Sequence, residues 1–338
     1  ENVFIQVDET NKNQYEYLLE TTDEKIVKIV EDIVSMAEKE LGETLHVNIH
    51  FGLIDHINFA LSRIREGIEI VNLRHDRETE RRERYAHILA EKRAREGATY
   101  DEANDKMFER NYFGMMMVET GDADAMITGL YTKYTNTIKV AKEVIGIRSE
   151  YKHFGTMHIL NSKKGTYFLA DTLINRHPDT DTLIDVAKLA EHTVRFFNHT
   201  PVMAMLSYSN FGSDQAGSPA KVHEAVAFMH RNYPELAIDG EMQVNFAMNT
   251  ELRDAKYPFT RLKGKDVNTL IFPNLSSANS GYKLIQAMTD TELIGPIQMG
   301  LNKPIHFTDI ESSVRDIVNI TAVAVIDALV DKKKASIK

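Results

Sequence analysis

The chain has 338 residues, 43% of them hydrophobic and 27% charged, which leaves room for a sizeable buried core and two or three domains. Its formal net charge of −10 argues against the basic surface that nonspecific nucleic-acid binding needs. It has no cysteine, which excludes disulfides, thiolate zinc sites and cysteine nucleophiles and fits a cytoplasmic protein. The opening ENVFIQVDETNK is polar and acidic, without the basic and apolar regions of a secretory signal. No apolar run approaches the ~18 residues of a membrane span.

In chain order, TTDEKIVKIVEDIVSMAEKELG begins with Thr21 and Glu24 at capping-box spacing. Ile26, Ile29, Val30, Ile33, Val34, Ala37 and Leu41 follow at helical intervals, and Gly42 ends the pattern. A second helix is expected over 48–65, with Ile49, Leu53, Ile57, Ala60, Leu61 and Ile64 on one face. Residues 1–70 therefore read as a small all-α segment. A charged helix is expected over 76–96, where Glu78, Glu80, Glu83, Glu91 and Glu96 interleave with the arginines. It reads as a solvated face laced with ion pairs, not as a nucleic-acid contact.

From there the pattern alternates. Met115–Val118 and Ala125–Ile127 are short apolar runs. Met157–Leu160, Tyr167–Ala170, Val202–Leu206 and Thr269–Phe272 read as strands, and 136–145, 180–197, 219–232, 279–288 and 311–330 as helices. Such alternation predicts an α/β region over 71–338, with a mainly parallel sheet covered by helices on both faces. Two stretches, SYSNFGSDQAGSP after Met205 and PNLSSANSGYK after Phe272, read as loops at strand ends. Ligands of open α/β sheets settle there, and loops of this composition present backbone N–H groups to an anion.

Other side chains have ordinary readings. With no HExxH or comparably tight spacing, no metal site is expected. His153 and His158 are assigned structural roles, and Met115, Met116 and Met117 core packing. Ser207 and Ser209 read equally as ligand contacts or loop caps. Asp239 and Glu241 read as a paired-carboxylate site or, better, as residues that fix a turn and line the cleft.

Five blocks in order, MLSYSNFGS, IDGEMQ, VNTLIFPNLSSANSGYKLIQ, IGPIQMGLNKP and SSVRDIVN, resemble the phosphotransacetylase family. The upstream GIEIVN and NYFGMMMVETGDADAMITG fit it as well, so the likeness covers about 66–335. The resemblance implies two α/β subdomains around a cleft. It also implies transfer of an acetyl group between phosphate and the thiol of coenzyme A, through a base and groups that hold phosphoryl oxygens. Catalysing members carry a run like KPVNDLSRGCSVEDIV, and this chain has KPIHFTDIESSVRDIV. The family's aspartate base falls on Asp316. Its serine falls on Asp309 and the adjoining arginine on Ile310, so a carboxylate stands where phosphate binds. Like charges 4 Å apart repel by ~4 kcal/mol at an effective dielectric near 20. A further family arginine falls on Lys139, which keeps the charge without the planar fork. The resemblance also gives Ser207, Ser209, Asn279, Tyr282 and Lys283 to an anionic ligand.

Similar losses occur in the phosphotransacetylase-like region of NADP-dependent malic enzymes, and ADTL at 170–173 and YPFTRLKG at 257–264 resemble that subfamily. The expectation is a catalytically degenerate domain that senses acetyl-CoA or CoA and forms a homodimer or higher oligomer, with no covalently bound cofactor. No G-x-G-x-x-G is present, so hydride chemistry is expected on residues outside this chain. A working phosphate acetyltransferase is the first alternative. The second comes from the front of the chain, where IDHINFA resembles the start of a PRD, the phosphotransferase-regulated domain of sugar-operon antiterminators. That likeness makes His56, beside Asp55, a phosphoacceptor and the chain a phosphorylation-regulated module.

Overall fold

The structure is a computed structural model and describes residues 22–42, 44–45, 49–50, 53–54, 57, 73–129, 134–289, 291–308 and 312–337. The chain divides into two compact units, Glu1–Arg81 and Arg82–Lys338. In the first, helix α1 (Glu24–Leu41) starts at Asp23, whose Oδ1 accepts from Lys25 N at 3.0 Å, and ends at the left-handed Gly42. Val30 and Val34 pack with Ile54, whereas Ile29 and Ile33 of the expected apolar face are exposed.

A helix α2 (Leu73–Lys92) crosses the division between the units. The second unit continues through a 3-10 turn, α3 (Tyr100–Lys106), α4 (Arg110–Thr120), β1 (Met126–Thr128) and α5 (Tyr134–Val144). Then come β2 (Gly155–Ser162), β3 (Gly165–Ala170), α6 (Thr180–Phe196), β4 (Val202–Leu206), α7 (Gly217–Asn232) and β5 (Ala237–Met242). Two short helices, α8 (Val244–Ala247) and α9 (Thr250–Lys256), lead to β6 (Thr269–Ile271) and α10 (Leu275–Met288). The chain closes through β7 (Glu292–Met299), β8 (Ile305–Phe307) and α11 (Val314–Ile337).

Six strands form one sheet in the order β5-β4-β6-β3-β2-β7, and β1 pairs with β8 in a second. Strands β5, β4, β6 and β3 run parallel, as do β1 and β8; β2 is antiparallel to both β3 and β7. The fold is therefore α/β with a mainly parallel sheet. Helices cover both faces, and the strand side chains alternate accordingly. Met203 and Met205 pack toward α6 and α7, while Ala204 and Leu206 join Met242, Leu262 and Tyr282 on the opposite face. A further core gathers Tyr85, Met115, Met116, Phe154 and Phe307 around the smaller sheet.

The apolar run Met115–Val118 lies inside α4, with Met115 and Met116 buried in the core and Met117 packed against it, as expected. Two expectations change. The stretch LSSANSGYK is the start of α10, not a loop: Asn274 caps it, accepting from Ser277 N at 3.0 Å. Strands β5, β7 and β8 are additional to those expected.

Candidate functional site

A cavity of about 350 Å³ opens between the six-stranded sheet and the elements around β8. Its walls are Tyr134 from α5, His158 from β2, Asn279, Tyr282 and Lys283 from α10, Gly295 and Pro296 from β7, Thr308, and Ser312 and Asp316 at the start of α11. Helical spacing accounts for the α10 wall, because residues three and four apart share a face. Asn279 Nδ2 donates to the Tyr282 hydroxyl at 3.3 Å.

His158 is the most enclosed polar wall. Its ring is stacked on Tyr282, with centroids 4.4 Å apart and planes 20° from parallel. Nδ1 lies 2.8 Å from Thr172 Oγ1, and Thr172 Oγ1 lies 3.1 Å from Thr156 Oγ1. Thr156 donates to Asp171 Oδ1 through both its amide, at 2.9 Å, and its hydroxyl, at 2.7 Å. Asp171 also accepts from the amides of Leu173, Ile174 and Asn175 and from Asn175 Nδ2, so each of its oxygens faces N–H donors. Burial, with Lys283 nearby, pushes the His158 imidazolium down to a pKa of about 3, so the ring is neutral at ordinary pH.

Asp316 does reach the cavity, but its Oδ2 accepts from both Ser313 N (2.8 Å) and Ser313 Oγ (2.7 Å). Asp316 N donates back to Ser313 Oγ at 3.2 Å. This is a capping box at the N-terminus of α11. Lys283 is the one lysine or arginine among the described lining residues. Tyr134 is half-buried with its hydroxyl enclosed, and that hydroxyl has no hydrogen-bond partner among the described residues. Burial, then the charge of Asp171 and the presence of Tyr282, raise its pKa well above the ordinary phenol value, so it remains a donor.

The structure thus brings Asn279, Tyr282, Lys283 and Asp316 to one cavity and places the other expected residues elsewhere. Lys139 is exposed on α5 and faces Glu143 Oε1 at 3.8 Å, outside the cavity lining. Ser207 and Ser209 lie at the end of β4, away from these walls. Ser209 Oγ donates to Glu241 Oε1 at 3.0 Å, and Gly212 N donates to the same oxygen at 2.6 Å. Asp239 Oδ2 accepts from Thr260 Oγ1 and Arg261 N, both at 2.7 Å. These two carboxylates fix loops, as expected, but neither lines the cavity, because both are turned to the loop amides and hydroxyls they hold. Asp309, Ile310, Asp55 and His56 lie outside the described residues, though Thr308 and Ser312, on either side of Asp309, line the cavity. Sequence pattern gives His158 a structural role and Tyr134 none. The signal for His158 was a lone histidine in a strand beginning GTMH, too common a feature to single it out.

No helix among the described residues is long and apolar enough to cross a membrane. A family model described as "Phosphate acetyl/butaryl transferase" matches residues 11–325, and so takes in the segment set beside a PRD. The NADP-dependent malic enzyme of Escherichia coli K12 is 37% identical over 236 residues, which are 69% of this chain and 31% of that protein. The chain thus spans about a third of the length of the malic enzymes it matches. The phosphate acetyltransferase of Bacillus subtilis is 32% identical over 232 residues, covering 69% of this chain and 72% of that one. Among solved structures, a phosphotransacetylase from Streptococcus pyogenes superposes with a TM-score of 0.67 at 32% identity, covering 77% of this chain and 76% of that one. The chain belongs to the phosphate acetyl/butyryl transferase family, whose domain it shares with malic enzymes and phosphate acetyltransferases.

Proposed function

We propose that this chain is a phosphotransacetylase-type domain that has lost acetyl transfer. In this reading it serves as the acetyl-CoA-sensing and oligomerisation region of an NADP-dependent malic enzyme. The observation that carries it is the position of Asp316. The carboxylate that the family uses as a base holds the first turn of α11 through both the amide and the hydroxyl of Ser313. Two charge losses support the same reading. Asp309 and Ile310 replace the family's serine and arginine in the sequence, and Lys283 alone supplies a cation among the described lining residues. A single lysine is a point charge, without the two-point fork that holds a phosphoryl group. The cavity is within the ~300–1,000 Å³ of small-molecule sites, and its walls mix apolar Leu173, Leu293 and Pro296 with few polar groups.

For oligomerisation, the partner proposed is a second copy of the chain. Helix α11 buries Ile320, Val323, Ala324 and Ala328, yet also carries exposed Val314, Val318, Val325 and Leu329 along its other side. With Ala322 these positions are spaced by four, four, three and four residues, the seam by which like helices pair.

A working phosphate acetyltransferase is the second reading, favoured by the presence of Asp316 at the cavity wall. The test is an assay of the purified chain with acetyl phosphate and CoA, alongside calorimetric titration with acetyl-CoA. The expected result is saturable binding without turnover. Turnover within a few tenfold of a family acetyltransferase would establish the second reading in its place.

A further inference from the structure

The polar chain behind His158 determines which of its nitrogens carries the proton. Asp171 only accepts, so the Thr156 hydroxyl hydrogen is committed to Asp171 Oδ1 at 2.7 Å. The 3.1 Å contact between the two threonine hydroxyls is then a hydrogen bond only if Thr172 donates to Thr156. That uses the single hydrogen of Thr172, so at the 2.8 Å contact Thr172 accepts and His158 Nδ1 donates. The opposite assignment would leave two hydroxyl lone pairs facing each other inside the fold, where Thr156 and Thr172 are both fully buried. Because Nδ1 holds the hydrogen of the neutral ring, Nε2 holds a lone pair. Nε2 has no hydrogen-bond partner among the described residues, and the ring lines the cavity. The ring cannot swing away from this position. Tyr282 covers one face, and a Cβ on Gly295 would lie 2.7 Å from Cδ2, so the strand backbone passes directly against that edge.

We propose that His158 is a tautomer-locked hydrogen-bond acceptor that selects ligands bringing an N–H or S–H donor to Nε2 while Lys283 takes an anionic group of the same ligand. This inference rests on the CoA reading of the cavity, and the donors in question are the amides and thiol of a pantetheine arm. Acetate, which only accepts when ionised, leaves Nε2 unpaired and is disfavoured. Neutral burial supports the assignment, since the ring stays unprotonated across the physiological range. His158 is a specificity-determining residue here, with no proton transfer assigned to it.

Two measurements on the full chain test this. The first is 15N NMR of histidine-labelled protein at pH 7.5. The expected spectrum has His158 protonated at Nδ1 and bare at Nε2, with Thr172→Val restoring a mixture of tautomers. A wild-type His158 protonated at Nε2 overturns the proposal. The second is calorimetric titration with CoA and with acetyl-CoA for wild type, His158→Phe and Thr172→Val. The expected loss is about tenfold in affinity for His158→Phe, the scale of one hydrogen bond in an enclosed site, and smaller for Thr172→Val, set by the fraction of rings still protonated at Nδ1. Loss for CoA alone assigns the thiol as donor; equal loss for both compounds assigns an amide. Unchanged affinity of a folded His158→Phe overturns the proposal, and should that variant not fold, the near-isosteric Thr172→Val decides. Wild-type protein that binds neither compound removes the CoA reading itself, and with it the use of His158 for such an arm, an outcome distinct from binding that ignores the variants.

Discussion

Tyr282 lies against the ring of His158, with centroids 4.4 Å apart and planes 20° from parallel, and together the two rings form one wall of the cavity. The stack joins α10 to β2, two elements more than a hundred residues apart in sequence. It encloses a titratable ring, so the energetics of this wall depend on pH.

His158 has a folded pKa of about 3 against an ordinary value of 6.5. The folded value is depressed, so the unfolded chain takes up the proton first as pH falls below 6.5. The histidine's contribution to stability is complete above that pH and is lost progressively down to about pH 3. Between pH 7.5 and pH 5 this one residue removes about 2 kcal/mol. Urea unfolding at the two pH values is expected to show that much more acid sensitivity in wild type than in His158→Phe. Equal sensitivity would mean that the ring is not enclosed as described.

Gly295 faces the same ring from β7. Its φ of +145° is a conformation side chains rarely adopt, and an added Cβ would also come within 2.9 Å of the Met157 carbonyl oxygen. Gly295→Ala therefore strains the backbone and displaces the His158 ring. The expected cost is at least ~2 kcal/mol, read from the midpoint of urea unfolding. The stack should loosen with it, visible as a shift of the His158 ring resonances.

The loop after β4 is held by a carboxylate. Glu241 is fully buried, with Oε1 shared by Ser209 Oγ and Gly212 N and Oε2 lying 3.4 Å from His223 Nδ1. Glu241→Ala removes the acceptor of the half-buried Gly212 N and leaves the Ser209 hydroxyl only Ser213 Oγ, at 2.9 Å, and is expected to destabilise the chain by ~1–3 kcal/mol. Faster amide hydrogen exchange at Gly212 is the local signature. The milder Ser209→Ala removes one donor and should cost ~1 kcal/mol.

These contacts explain which elements were legible in the sequence. Strand β4 reads plainly because Val202–Leu206 is apolar on both faces, as a central parallel strand must be. Strand β5 does not, because Asp239, Gly240 and Glu241 occupy its middle. They are tolerated there because Thr260 and Arg261 bond Asp239 Oδ2 and Ser209 and Gly212 bond Glu241 Oε1, and those partners come from segments no local pattern connects. Strand β7 carries Gly295 and Pro296, which locally signal a turn. At the site, the α10 residues and Asp316 were recoverable through family resemblance. The roles of His158 and Tyr134 arise only when β2 and α5 meet α10. Of the two readings of Ser209, the contacts in the structure are those of the loop cap, and local pattern does not separate the two because the buried carboxylate that takes its hydroxyl is 32 residues away.

The capping box at α11 makes a separate forecast. Ser313→Ala removes the acceptor for Asp316 N and one of the two donors to Asp316 Oδ2. A loss of about 1 kcal/mol in unfolding free energy is expected, the usual scale for a helix cap. Asp316→Asn keeps an acceptor oxygen and should cost less than Asp316→Ala. The ranking would reverse if Asp316 were held at the cavity for another purpose and the cap were incidental.

Helix α11 also carries the forecast for assembly. Its buried side, with Ile320, Val323 and Ala328, faces the core, while Val318, Val325 and Leu329 stay more than half exposed in one chain. Exposed apolar stripes of this length mark a contact surface. A like helix fits because the four-three spacing repeats the seam on both partners, and a two-fold axis sets each stripe against its counterpart. Leu329→Glu places a charge in that seam, opposite the same charge from the second copy. Sedimentation equilibrium is expected to give a dimer or larger for wild type and a much weaker association for Leu329→Glu. Because Leu329 is 61% exposed in the single chain, its thermal unfolding as a monomer should be nearly unaffected. An assembly that survives Leu329→Glu and Val325→Glu together would place the subunit contact on another face of the fold.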